Sequence, residues 1–153
     1  MPENLQDKYG PDTICFGCGP ANAQGLRIKS VVVGDEVVCD WTPSPQHQAF
    51  PGVLNGGILG TLLDCHMNWT AAWHLMTSQG RDQLPVTVTA DFHVFLKRPT
   101  PADQPVRLVA RIVASSKDRA TVEATVTSGD KVCATGSGSF VAVREGHPAW
   151  HRW

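Results

Sequence analysis

The sequence predicts an α+β domain in which an antiparallel sheet of about six strands wraps around one long central helix. Three observations support this. A turn signal at Gly34-Asp35 joins two β-branched stretches, Leu26 to Val33 and Glu36 to Thr42, into a first hairpin. From Gly57 the chain runs to about Gln79 without proline and with Gly60 as the only further glycine, which makes one helix of roughly 20 residues, about 30 Å long. Four long strands are then expected near 84–96, 105–115, 119–128 and 131–143. The clearest is the third, where Ala120, Val122, Ala124 and Val126 alternate with polar neighbours and so place one face on a core.

The 153 residues amount to a single domain, 1–153. Hydrophobic residues make up 42% and charged residues 18%, enough apolar surface to bury a core. Lys and Arg total 13 against 14 Asp and Glu, a formal charge of -1, which gives no broad electrostatic reason to bind nucleic acid or an anionic membrane. Met1-Pro2-Glu3-Asn4 has neither the basic nor the apolar region of a secretory signal, so a cytoplasmic location is expected. Five cysteines, three of them alone inside regular segments (Cys39, Cys65 and Cys133), read as reduced thiols rather than a disulfide framework.

Taken in order, residues 1–25 are rich in Pro, Gly, Asn and Asp and should be irregular. Residues 43–57 turn repeatedly before the helix. In the last strand Val132, Ala134, Gly136, Gly138 and Phe140 share a face whose small residues predict close approach of another element. The tail, 144–153, should be irregular, with Trp150 and Trp153 packing on the body or on a partner.

The helix carries most of the functional information. Ile58, Leu59, Leu62, His66, Trp69, Trp73 and Met76 fall on one face, which should sit on the concave side of the sheet. Gly57, Gly60, Thr61, Asp64, Asn68 and Ala71 lie opposite, and Asp64 is the only Asp, Glu, Lys or Arg between Val53 and Gln79. A solvated helix face normally carries several charges, and a membrane span would not carry Asp64, His66, Asn68 and His74. The opposite face is therefore expected to pack against more protein, most simply a second copy across a two-fold axis, as a homodimer or a dimer of dimers.

A carboxylate on such a face, with no cationic neighbour, should have a raised pKa and serve as a general base. At the helix start, Asn55-Gly56-Gly57 offers unpaired N–H groups and the positive end of the helix dipole to an oxygen that becomes negative. Asp64 follows Gly57 by seven residues, two turns, within about 20° of the same face. Donor and base on one cleft suit attack of water on a carbonyl carbon.

The run Phe50-Pro51-Gly52-Val53-Leu54-Asn55-Gly56-Gly57-Ile58-Leu59-Gly60-Thr61-Leu62-Leu63-Asp64, the opening Cys15-Phe16-Gly17-Cys18-Gly19 and the strand ending Lys97-Arg98-Pro99 resemble the hotdog-fold acyl-CoA thioesterases of the phenylacetate-pathway type. The resemblance extends from about Cys15 to Val143. It implies that the Gly57 N–H polarises the thioester carbonyl and that Asp64 acts as base or nucleophile. It also implies that Thr89, supplied by the opposite subunit, orients the water or the carboxylate. Asn55 stands where most relatives have His; an amide binds a carbonyl or a water but transfers no proton. Ala49 stands where some relatives carry Asn or Gln, with Gln48 adjacent as a substitute, and Cys65-His66 replaces the usual Glu-Ala.

Other residues have plainer readings. Cys15 and Cys18 have CxxC spacing, yet a zinc site needs four ligands and no second pair is evident, His47 and Cys39 being nearest in sequence; no metal and no separate cofactor are expected. Cys65 and His66 read as packing residues of the core. Asp91 and His93 share a strand face with Thr89. Lys97, Arg98, Lys117 and Arg119, near strand ends, suit the phosphates of coenzyme A. Together these features point to hydrolysis of an acyl-CoA thioester, with Asn55 and Gly56 at the bound carbonyl. A non-catalytic acyl-CoA binding or sensing protein is the alternative, and an enoyl-CoA hydratase or dehydratase a weaker one.

Overall fold

The computed structural model describes residues 2–153. A short helix α1 (Leu5–Tyr9) precedes strands β1 (Val31–Val33) and β2 (Glu36–Trp41). A two-stranded ribbon, β3 (Gln48–Phe50) and β4 (Val53–Leu54), leads into helix α2 (Gly56–Ser78). Strands β5 (Thr87–Leu96), β6 (Val106–Ser115), β7 (Arg119–Ser128) and β8 (Lys131–Ala142) complete the fold. The main sheet has the order β1-β2-β6-β7-β8-β5, with every neighbouring pair antiparallel. This is the six-stranded hotdog arrangement, with β5 on one edge. No helix among the described residues is long and apolar enough to cross a membrane.

Two-residue periodicity in the strands and 3.6-residue periodicity in α2 meet in one core. Leu62, Leu63, Met67, Trp69 and Leu75 are completely buried, against Leu108, Ala110, Val122, Val126 and Phe140 of the sheet. The small residues of β8 have the expected cause: a Cβ on Gly136 would stand 3.2 Å from Leu63, so glycine lets the helix settle directly on the sheet. Val132 leaves that face. The register shifts between the Val126–Ala134 and Thr127–Val132 pairs, which buries Cys133 and exposes Val132.

Residues 26–30, expected as strand, are not part of the sheet. Arg27 has φ +52°, and the segment bonds instead to the chain's beginning: Leu26 N–H donates to Phe16 O at 2.7 Å and Ile28 N–H to Gly17 O at 3.2 Å. The beginning is in turn more regular than its composition suggests, since Asn4 caps α1 through its side chain, which accepts from Asp7 N–H. At the other end β5 starts at Thr87, not 84.

These terminal segments change the account of the uncharged helix face. Gly17 lies over Thr61 and Cys65, Asn68 donates to Thr87 O at 3.3 Å, and Asn68 and Ala71 are buried within a single chain. The turn at Gly17, the start of β5 and the tail at Trp153 therefore cover much of the face expected to meet a second copy. Only its beginning stays accessible: Gly57 is exposed, and Gly60, Thr61 and Asp64 are half-buried. The tail packs on the body, with Trp153 over Trp69 at 4.6 Å between ring centroids.

His66 is a satisfied core residue, as the sequence predicts. A carbonyl only accepts, so Nε2–H donates to Val37 O at 2.9 Å, and Nδ1 accepts from the Ser30 hydroxyl at 2.8 Å. Burial pushes the imidazole pKa down to about 4, against the hydrogen bond to Val37 O that raises it, so the ring is neutral. Buried Gln6 completes the chain of bonds, donating to Ser30 Oγ at 2.9 Å and accepting from Ser30 N–H at 2.7 Å. Gln6→Ala leaves a buried N–H and a hydroxyl short of partners, at a cost of about 1–3 kcal/mol. A lowered urea midpoint at unchanged slope is the expected measurement.

Candidate functional site

The helix start is built by the turns before it. Gly52, at φ +88°, closes the β3–β4 ribbon, and Asn55 N–H donates to His47 O at 2.9 Å. Asn55 is thereby held extended (φ -64°, ψ 135°) as the N-cap of α2. Its Oδ1 accepts from Gly57 N–H at 2.7 Å and from Ile58 N–H at 3.3 Å, and its carbonyl accepts from Leu59 N–H at 3.3 Å. The Gly57 N–H assigned to the substrate from sequence is thus taken by the cap. Gly56 N–H has no hydrogen-bond partner among the described residues and is the free donor at this helix end. The order Asn-Gly-Gly held the signal for this, because an Asn cap bonds the second and third helical N–H and spares the first.

Two turns on, Asp64 is half-buried, and its Oδ1 accepts from the Thr89 hydroxyl at 2.6 Å. Burial raises the carboxyl pKa most; the Thr89 hydrogen bond opposes this, the neighbouring Cys15 adds to it, and Arg152 counters it. Arg152 reaches the site from the tail, donating from Nη1 to Thr87 O at 3.0 Å. The Thr89–Asp64 bond forms within one chain, whereas the family resemblance had Thr89 coming from the opposite subunit.

A bulge in β5 explains why Thr89 faces the helix and its neighbours do not. On β8, Thr89 pairs with Phe140 and Asp91 with the next residue, Ser139, so Ala90 has no partner and the side-chain alternation inverts. Below the bulge Phe92 and Leu96 turn toward α2, where a Cβ on Gly60 would meet Phe92 at 4.0 Å and one on Gly56 would meet Leu96 at 3.0 Å. Asp91 and His93 move to the outer face, away from Thr89's side: Asp91 lies 4.0 Å from Arg119 and 3.8 Å from His93. Nothing in the sequence marks this bulge.

The remaining candidates divide. Gln48 is committed to its own loop, donating to Pro45 O at 2.8 Å and accepting from Gly52 N–H at 2.7 Å. The four basic residues form two separate pairs rather than one patch. Lys97 and Arg98 follow Leu96 at the helix-start end of β5, while Arg119 and Val88 both pair with Val141, eight residues or about 26 Å from Leu96. Cys65 is buried in the core, as read, and also lies beside Cys15, with 3.7 Å between the sulfurs. Phe92 and Leu96, 41% and 58% exposed, leave an apolar surface on the edge strand beside the helix start.

The thioesterase superfamily profile matches residues 51–135, which contain the helix start, Asp64 and Thr89. The chain belongs to the thioesterase superfamily. Its fold is similar to that of a thioesterase superfamily protein from Shewanella loihica, with 27% identity and a TM-score of 0.66 over 82% of this chain and 98% of that one. A conserved protein from Pseudomonas aeruginosa is 27% identical, with a TM-score of 0.64 over 77% and 90% of the two chains. The E. coli PaaI protein from the phenylacetic acid degradation operon shares the fold at 19% identity, with a TM-score of 0.66 over 81% and 85%. No curated protein matches in sequence.

Asn55 makes a direct stability test. Asn55→Ala removes the cap from Gly57 and Ile58 N–H and should cost about 1 kcal/mol, read as a lower denaturant midpoint with helical circular dichroism retained.

Proposed function

We propose that this superfamily member hydrolyses an acyl-CoA thioester to a free acid and coenzyme A, with Asp64 as base or nucleophile. The observation that carries this reading is the Asp64 carboxylate itself, its pKa raised by burial and its position held by Thr89, two turns along from a glycine-lined helix start. As base, Asp64 takes a proton from water as the oxygen attacks the carbonyl carbon; the carbon–sulfur bond then breaks and the thiolate leaves with a proton. Thr89 Oγ1 holds one carboxylate oxygen and leaves the second for the water.

A carbonyl and its attacking water lie about 3 Å apart, whereas Gly57 and Asp64 of one helix are about 10 Å apart along its axis. The proposed site is therefore shared by two copies of the chain, the helix start of one facing Asp64 of the other. The exposed Phe92 and Leu96 on edge strand β5 supply an apolar surface for that pairing. In an antiparallel pairing of these edges, Lys97 and Arg98 of one copy come to the sheet end where the other carries Lys117 and Arg119, and the four basic residues then serve one set of coenzyme A phosphates. At the helix start, Gly56 N–H receives the carbonyl oxygen and Asn55 holds Gly57 in place. An oxyanion donor of this kind lowers the barrier by about 3 kcal/mol.

The committed Gly57 N–H favours a second reading, acyl-CoA binding without efficient turnover, since one free N–H is a sparse oxyanion site. Thiol release from short, medium and aryl acyl-CoAs separates the two. Turnover that falls at least about 100-fold in Asp64→Ala is the expected result. Ordinary turnover by Asp64→Ala overturns the Asp64 assignment, and calorimetric binding without any release points to the binding protein.

A further inference from the structure

Cys15 and Cys18 lie on either side of a tight turn in which Gly19 N–H donates to Cys15 O at 2.8 Å. That turn crosses α2 at Gly17, where a Cβ would collide with the Cys65 sulfur, so glycine is what lets the turn descend onto the helix. A third thiol, invisible to the sequence spacing, thereby joins the pair: the sulfurs of Cys15, Cys18 and Cys65 all lie within 4.8 Å of one another. The Cys15 to Cys65 separation is 3.7 Å. In a tetrahedral zinc site with metal–sulfur bonds of about 2.3 Å, ligand sulfurs stand about 3.8 Å apart. The observed spacing is that of a ligand pair, and far longer than the roughly 2 Å of a disulfide.

The indole N–H of the fully buried Trp69 has no hydrogen-bond partner, and it lies beside Cys18. Such an orphaned donor next to a neutral thiol is costly, and next to a metal-bound thiolate it has an acceptor. Cys18 and Cys65 are 2% and 8% exposed, so the cluster is closed on the helix side. On the other side a cavity of about 450 Å³ is lined by Cys15, Cys18, His151 and Arg152.

We propose that Cys15, Cys18 and Cys65 bind one zinc ion per chain as three thiolates, with the fourth coordination position opening to water in the His151 cavity. Each thiol that binds gives its proton to solvent, and no oxidation state changes. The ion ties the N-terminal segment to α2 at the residue after Asp64, and so fixes the wall of the cleft; it takes no part in the hydrolysis proposed above.

The test uses the full chain, reduced and stripped with a chelator, titrated with zinc sulfate against a chromophoric chelator and separately with cobalt(II). One zinc per chain, an intense thiolate-to-cobalt charge-transfer band, and an affinity at least about 100-fold weaker in Cys18→Ser but unchanged in Cys133→Ala are expected. Alkylation of the unmutated chain is a second readout that needs no variant: zinc should protect Cys15, Cys18 and Cys65 and leave Cys39 and Cys133 at their metal-free rates. Absence of zinc uptake, uptake that survives Cys18→Ser in the folded protein, or protection that does not distinguish the three cysteines overturns the proposal. Oxidation of the cluster to a disulfide with no zinc uptake in reductant overturns it in favour of a redox pair.

Discussion

The rise of an α-helix, 1.5 Å per residue, sets the terms for this molecule. Eight residues separate the free N–H of Gly56 from Asp64, about 12 Å along the axis, and one carbonyl group cannot touch both. On the proposed reading, a single chain holds two halves of a hydrolytic site, set two turns apart along one helix. The exposed glycine at the helix start, the half-buried carboxylate two turns on, and the apolar side chains left open on edge strand β5 follow one another in space along this axis. In the proposed dimer, a two-fold copy of the chain would bring complementary halves together and cover the edge strand, which would otherwise invite unspecific pairing.

Within the chain the carboxylate is prepared by elements far apart in sequence. The bulge at Ala90 turns Thr89 toward Asp64 while leaving Phe92 and Leu96 on the same side further down the strand. Without it, Asp91 would stand on the helix side and set a second negative charge near Asp64. The tail adds Arg152, and the N-terminal turn adds the cysteine cluster beside the same carboxylate. The superfamily fold thus supplies the helix and sheet, while the two terminal segments of this chain supply the walls of the cleft.

The fold was largely legible because each of its long elements repeats one period. Alternation in β7 and the unbroken, nearly uncharged run of α2 identify the sheet and the helix, and Asp64 stands out as the single charge in that run. The readings that changed depend on contacts between distant residues. Residues 26–30 carry strand composition, but Arg27 takes a left-handed conformation and the segment pairs with the N-terminal turn. The place of Cys65 in a cluster was invisible because its partners are about 50 residues away. The capping role of Asn55 was readable from local chemistry alone.

The claim that two copies share each site is open to a direct measurement with mixed dimers. Gly56→Pro removes the free N–H and asks only the tip of the Leu96 side chain, 3.0 Å from the added Cβ, to shift: proline is favoured at the first helical position, and Asn55 already has the extended conformation that precedes proline. The Gly56→Pro and Asp64→Ala chains, each inactive alone, are unfolded together and refolded as a mixture, and thioester hydrolysis is followed. If the site is shared, half the dimers are mixed and one of the two sites in each is intact, so the mixture recovers about one quarter of the native rate. A mixture as inactive as its two parents, with mixed dimers present, would contradict the shared site and place donor and base in one chain.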